Sequence, residues 1–104
     1  MQSDFGLSPR VRGLICGVLD KHPGIDQAIV YGSRAMGNYR TGSDIDLTLD
    51  APCLTFSELL RIDSELDDLM LPYSFDLSLL TQIENPELLG HISRVGKPLW
   101  SKAD

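Results

Sequence analysis

Several features that would quickly sort a chain are scarce here. Only two cysteines occur, Cys16 and Cys53, 37 positions apart and outside any C-x-x-C pattern. A single pair in a chain with no secretion signal is a weak disulfide framework, so both read as free thiols, buried or half-buried. Histidine is equally sparse. His22 and His91 have no cysteine or histidine at ligand spacing, which argues against a zinc site. Both read as structural, His22 at a helix end and His91 beside an apolar stripe. No apolar run approaches the roughly 20 residues needed to cross a bilayer. The opening Met1-Gln-Ser-Asp-Phe-Gly lacks the basic and apolar regions of a signal peptide, so a cytoplasmic location is expected. Basic charge is also short: 9 Lys and Arg stand against 15 Asp and Glu, a net charge of −6 with no basic stripe. Phosphate neutralisation supplies most nucleic-acid affinity, so nucleic acid is a poor candidate for the main partner. A nucleotide held through a metal remains compatible, because the cation bridges protein carboxylates to phosphates.

What is present describes an ordinary globular chain. The 104 residues, 42% hydrophobic and 23% charged, suit one domain spanning 1–104. Ser8-Pro9 reads as an N-cap with proline at the first helical position. Val11, Leu14, Ile15, Val18 and Leu19 follow with helical period until Pro23-Gly24. Residues 25–31 form a short apolar, partly β-branched run, a buried strand. Residues 32–43 hold three glycines and small polar residues, a loop with room for one helical turn. Residues 44–50 alternate, with Ile45, Leu47 and Leu49 opposite Asp44, Asp46, Thr48 and Asp50. Thr55-Phe-Ser-Glu58 matches a capping box and opens a helix with Leu59, Ile62, Leu66 and Leu69 on one side, broken at Pro72. Residues 73–80 alternate again. Asn85-Pro86 caps a last helix, which Gly96-Lys97-Pro98 ends. The order helix, strand, strand, helix, strand, helix predicts an α+β or α/β sandwich, with a mixed sheet of about three to four strands packed against helices.

Chemistry concentrates in two places. Asp44 and Asp46 lie two apart on a strand, so their side chains leave one face about 6.6–7 Å apart. Two carboxylates so placed can converge on one magnesium ion or bridge two ions about 3.5–4 Å apart. The same pair also describes two acids facing water on a half-exposed sheet, although aspartate is depleted in strands. Gly32-Ser33 ends the preceding strand. A glycine there allows close approach to a phosphate, successive N–H groups can form an anion nest, and Ser33 adds a hydroxyl. A plain tight turn is the simpler account of Gly-Ser alone. Ten residues separate Ser33 from Asp44, enough for a loop folding back over phosphates.

Together, Tyr31-Gly32-Ser33-Arg34-Ala35-Met36-Gly37 and Ser43-Asp44-Ile45-Asp46-Leu47 resemble the signature of the DNA polymerase beta-type nucleotidyltransferases, and within them the minimal, MntA-like group. The resemblance implies a nucleotidyltransferase fold and a third carboxylate on a later strand. Asp76 is the candidate, a lone acid in an otherwise apolar alternation. By that resemblance Asp44 and Asp46 bind Mg2+ with the nucleotide, ATP. Asp76 completes a second metal site or deprotonates the attacking hydroxyl. Gly32, Ser33, Arg34 and Ser43 are expected at the nucleotide. Arg34 would offer a charge-assisted fork to a phosphate. The reaction implied is AMP transfer to a hydroxyl, and the family pairing implies a tyrosine on a helical HEPN toxin, with this chain as antitoxin. Three rivals stay open: an interaction module that neutralises its partner by binding alone, a small-molecule nucleotidyltransferase, and a bare metal-binding structural domain. Oligomeric state, homo- or hetero-, is not legible.

Overall fold

Alternation in the two aspartate-bearing strands sorts their side chains onto opposite faces of a four-stranded sheet. A computed structural model describes residues 5–40 and 42–102. Residues 1–4, which enter the leader reading, Thr41 of the loop, and residues 103–104 lie outside the described residues. The first helix, α1 (Pro9–Asp20), is capped by the Ser8 hydroxyl, which accepts from the Val11 N–H at 3.2 Å. Strand β1 (Gln27–Tyr31) leads into a single helical turn, α2 (Ser33–Met36), and then β2 (Ile45–Asp50). The capping box of Thr55 and Glu58 forms as expected and starts α3 (Phe56–Asp67). Strand β3 (Phe75–Leu79), a 3₁₀ turn at Leu80–Gln82, α4 (Pro86–Val95) and β4 (Lys97–Ser101) complete the chain.

The sheet order is β3-β2-β1-β4. β1 runs antiparallel to β2 and to β4, and β2 parallel to β3, so the sheet is mixed as expected. The parallel pair needs a crossover, and α3 provides it. Ala28, Val30, Ile45, Leu47 and Leu49 are fully buried and face α1 and α3, whose Ile15, Leu19, Ile62 and Leu66 complete the core.

β4 is the element the sequence hid. Gly96-Lys97-Pro98 reads as a helix stop, and it is one, because Gly96 caps α4. The chain then turns straight into a strand. Proline cannot donate to a ladder, yet Pro98 is tolerated because β4 is an edge strand whose pairing with β1 shifts register between Ala28 and Ile29. Two further readings need correction. Cys53 is exposed in the turn before α3 rather than buried, while Cys16 is half-buried, and both thiols are free. His22 is not simply a positive group at a helix end. Its Nε2 lies 3.0 Å from Oε1 of Glu65, tying the end of α1 to α3 and holding the Glu65 carboxyl below its ordinary range. Among the described residues no helix is long and apolar enough to cross a membrane.

The second face of the sheet is divided. At one end α4 and the 3₁₀ turn close over Ile29 and Thr48. Thr48 is fully buried there, accepting a hydrogen bond from the Ser78 hydroxyl at 3.0 Å. The other end carries Tyr31, Asp46 and Asp76, with both acids reaching solvent.

Candidate functional site

Register decides which acids meet. Asp46 is the Cα partner of Tyr31 on one side and of Asp76 on the other. Directly paired residues point to the same face, so Tyr31, Asp46 and Asp76 form a row across three strands. Asp44 precedes β2 by one residue and is exposed. The separation that would have dispersed the acids, with Asp76 on the far face, does not occur.

Electrostatics reports the same closeness. The Asp46 carboxyl is pushed above its ordinary value of 3.8, first by partial burial, then by the charges of Asp76 and Asp44. The Tyr31 hydroxyl is likewise raised, mainly by burial; the neighbouring Ser78 side chain opposes this, and Asp76 and Asp46 add to it. Three carboxylates that repel one another are a natural seat for a cation. Among the described residues no three His, Cys, Asp or Glu side chains already lie close enough to enclose a metal ion. By donor type and charge the row nevertheless fits Mg2+, which takes hard oxygen ligands and fills its remaining positions with water and phosphate.

The raised Asp46 value has a direct consequence for stability. A carboxyl that holds its proton more tightly when folded lowers stability as pH rises from 3.8 through the folded value, and the full penalty persists above it. Asp46→Asn removes that penalty. In EDTA at pH 7 the variant should unfold at a higher temperature than the parent, and the two should converge as pH falls toward 3.8. A parent at least as stable at pH 7 would contradict the repulsion.

Gly32 is required on two counts. Its backbone lies at φ 73° and ψ −151°, a region nearly closed to other residues. A Cβ built there would collide with Oδ2 of Asp46. The bend thus brings backbone against carboxylate, and any side chain would displace the acid. Gly32 is also the N-cap of α2, where Met36 N–H donates to the Gly32 carbonyl at 3.1 Å. The preceding N–H groups have no acceptor within the turn. Ser33 is half-buried at its start.

Arg34, expected at a phosphate, is turned inward and is only 2% exposed. Nε and Nη2 donate to the Ser43 carbonyl at 3.1 and 2.8 Å, and Nη1 donates to the Phe5 carbonyl at 2.7 Å. The guanidinium lies between the rings of Tyr39 and Tyr73, at 5.1 and 4.8 Å. Three of its five N–H donors go to protein carbonyls, so it anchors the loop. Ser43 is tied into the same loop, its hydroxyl accepting from Arg40 N–H at 2.8 Å.

His91 is the residue that sequence reasoning missed. Its Nε2 accepts from the Gly32 N–H at 3.1 Å, and its ring meets Tyr31 edge to face with centroids 6.2 Å apart. The two partners are 59 residues apart, and no local signal marks the contact.

The sequence matches the family described as polymerase beta, nucleotidyltransferase, over residues 15–104. The chain belongs to that nucleotidyltransferase family. No curated protein sequence matches it. Its fold is similar to a toxin–antitoxin complex chain solved with AMP-PNP, at 24% identity and TM-score 0.70, covering 88% of this chain and 73% of that one. It is similar also to an MntA–HepT toxin–antitoxin chain, at 21% identity and TM-score 0.66, covering 91% and 74%. A third similar chain comes from the tri-AMPylated Shewanella oneidensis HEPN toxin in complex with MNT antitoxin, at 20% identity and TM-score 0.65, covering 89% and 71%. The α+β nucleotidyltransferase fold expected from the motifs is therefore the fold present.

Proposed function

We propose that this nucleotidyltransferase transfers AMP from ATP to a hydroxyl of a partner protein, and that the partner is a HEPN-type toxin which the modification silences. The observation carrying the reading is the row of Asp46 and Asp76 in direct register, with Asp44 two residues before, beside a glycine that admits no side chain. Toxin–antitoxin complexes among the similar folds, one with an AMPylated toxin and one with an ATP analogue, support the choice of acceptor and nucleotide.

In this reading Asp44 and Asp46 hold the nucleotide through magnesium, which would neutralise triphosphate charge and steady the leaving pyrophosphate. The bend at Gly32 and Ser33 lies against the phosphates, with Ser33 donating its hydroxyl. Asp76, exposed at the end of the row, accepts the proton of the attacking hydroxyl. The acceptor oxygen bonds to the α-phosphorus, the bond from that phosphorus to the bridging oxygen breaks, and pyrophosphate departs. Most of the rate gain comes from placement and charge compensation.

The test is incubation with α-labelled ATP, Mg2+ and a HEPN-type protein. Label should pass to the partner, and Asp44→Asn with Asp46→Asn should abolish both transfer and protection from toxicity. No transfer, with protection surviving the double substitution, would identify a binding antitoxin instead. Transfer to a soluble hydroxyl compound without the partner would point to a small-molecule enzyme.

A further inference from the structure

We infer that His91 is a positioning residue for the nucleotide's phosphates, holding the Gly32-Ser33 bend from the opposite side through the Gly32 N–H. The inference rests on the proposed reading of that bend as the phosphate cradle. Of the four N–H groups that α2 leaves without an internal acceptor, the one belonging to Gly32 is taken by Nε2 of His91 at 3.1 Å. The N–H groups of Ser33, Arg34 and Ala35 follow it. Acceptance at Nε2 requires that nitrogen to be unprotonated, which leaves a ring proton only for Nδ1. The imidazole is fixed by its edge-to-face packing on Tyr31, itself 7% exposed. This contact also links α4, which supplies no carboxylate to the row, to the strand that ends in the site.

The constraint matters because Gly32 has little restraint of its own. Without a side chain its backbone has many conformations to lose, and its observed φ and ψ are only one of the regions open to glycine. Beside the Met36 N–H that holds its carbonyl, two side chains select the observed one. The Asp46 carboxylate occupies the space where a Cβ would be, and His91 takes the amide hydrogen. Removing the acceptor frees the peptide plane between Tyr31 and Gly32, and the donors that follow lose their common direction. A purely structural histidine would contribute through the ring's packing alone, which a phenyl ring retains.

Two substitutions separate these roles. His91→Phe keeps an aromatic ring against Tyr31 and deletes the acceptor; His91→Gln discards the ring and restores an acceptor near the Nε2 position. The readouts are the MgATP dissociation constant by calorimetry and the amide exchange rate of Gly32 by NMR, with circular dichroism confirming that each variant is folded. His91→Phe should weaken MgATP binding by about 3–10-fold, the loss of one ordinary hydrogen bond, and should speed Gly32 exchange. His91→Gln should bind within about 3-fold of the parent by the same measure. In the transfer assay the change should fall in KM rather than kcat. If His91→Phe folds, binds MgATP like the parent and leaves Gly32 exchange unchanged, the inference is overturned while the nucleotide reading stands. A parent chain that binds no MgATP overturns both. Should His91→Phe fail to fold, His91→Gln decides alone, since binding more than 10-fold weaker would favour ring packing over acceptance.

Discussion

Asp76→Asn should reduce AMP transfer by about 10²–10⁴-fold, the span associated with losing a positioned proton acceptor, while changing MgATP affinity only a few-fold. The asymmetry follows from placement. In the proposed reading Asp44 and Asp46, at one end of β2, would meet the nucleotide through the cation, whereas Asp76 stands exposed on the edge strand, open to a macromolecular acceptor. Asparagine keeps the shape and hydrogen-bonding capacity of the side chain but cannot take up the proton. The parent and variant are compared by initial rates of label transfer from α-labelled ATP and by calorimetric titration with MgATP. Transfer at close to the parent rate would show that Asp76 neither accepts the proton nor completes a metal site. Loss of MgATP binding in parallel with transfer would place Asp76 among the nucleotide's primary ligands instead.

Arg34→Ala should destabilise the fold by about 3 kcal/mol or more, because charge-assisted hydrogen bonds contribute roughly 1.5–3 kcal/mol each and a fully buried side chain is lost from the interior. Two carbonyls, those of Ser43 and Phe5, accept from this guanidinium, and Tyr39 and Tyr73 pack on its faces. Arg34→Lys should recover little. A lysine ammonium is a point charge and cannot reproduce the planar fork that reaches both carbonyls while stacking between rings. Urea unfolding at constant slope is the measurement, with a large fall in midpoint expected for both variants. The result also bears on function: a parent-like midpoint combined with much weaker MgATP binding would return Arg34 to the phosphates. The geometry favours the stability loss, because the Ser43 carbonyl held by Arg34 lies immediately before Asp44 in the chain.

The elements were legible where local chemistry sufficed. Ser8-Pro9, the Thr55–Glu58 capping box and Asn85-Pro86 each satisfy backbone donors with a neighbouring side chain, so three helix starts could be read directly. The alternation in residues 45–50 and 75–79 gave the faces of β2 and β3 for a similar reason, since side chains of a strand must alternate. β4 was hidden because a proline in five residues argues locally against a strand, and only its edge position and irregular pairing make it acceptable.

For the candidate site the division is sharper. Residue type and spacing determined the family resemblance, the Gly32-Ser33 bend and the candidacy of Asp44, Asp46 and Asp76, because close backbone approach and paired carboxylates impose requirements within a few residues. Tertiary structure alone decided that Asp46 and Asp76 stand in register, that Arg34 faces the interior, and that His91 reaches Gly32. Strand order, the inward turn of a long side chain and a hydrogen bond spanning 59 residues depend on how whole elements pack, and no short window of sequence contains that information.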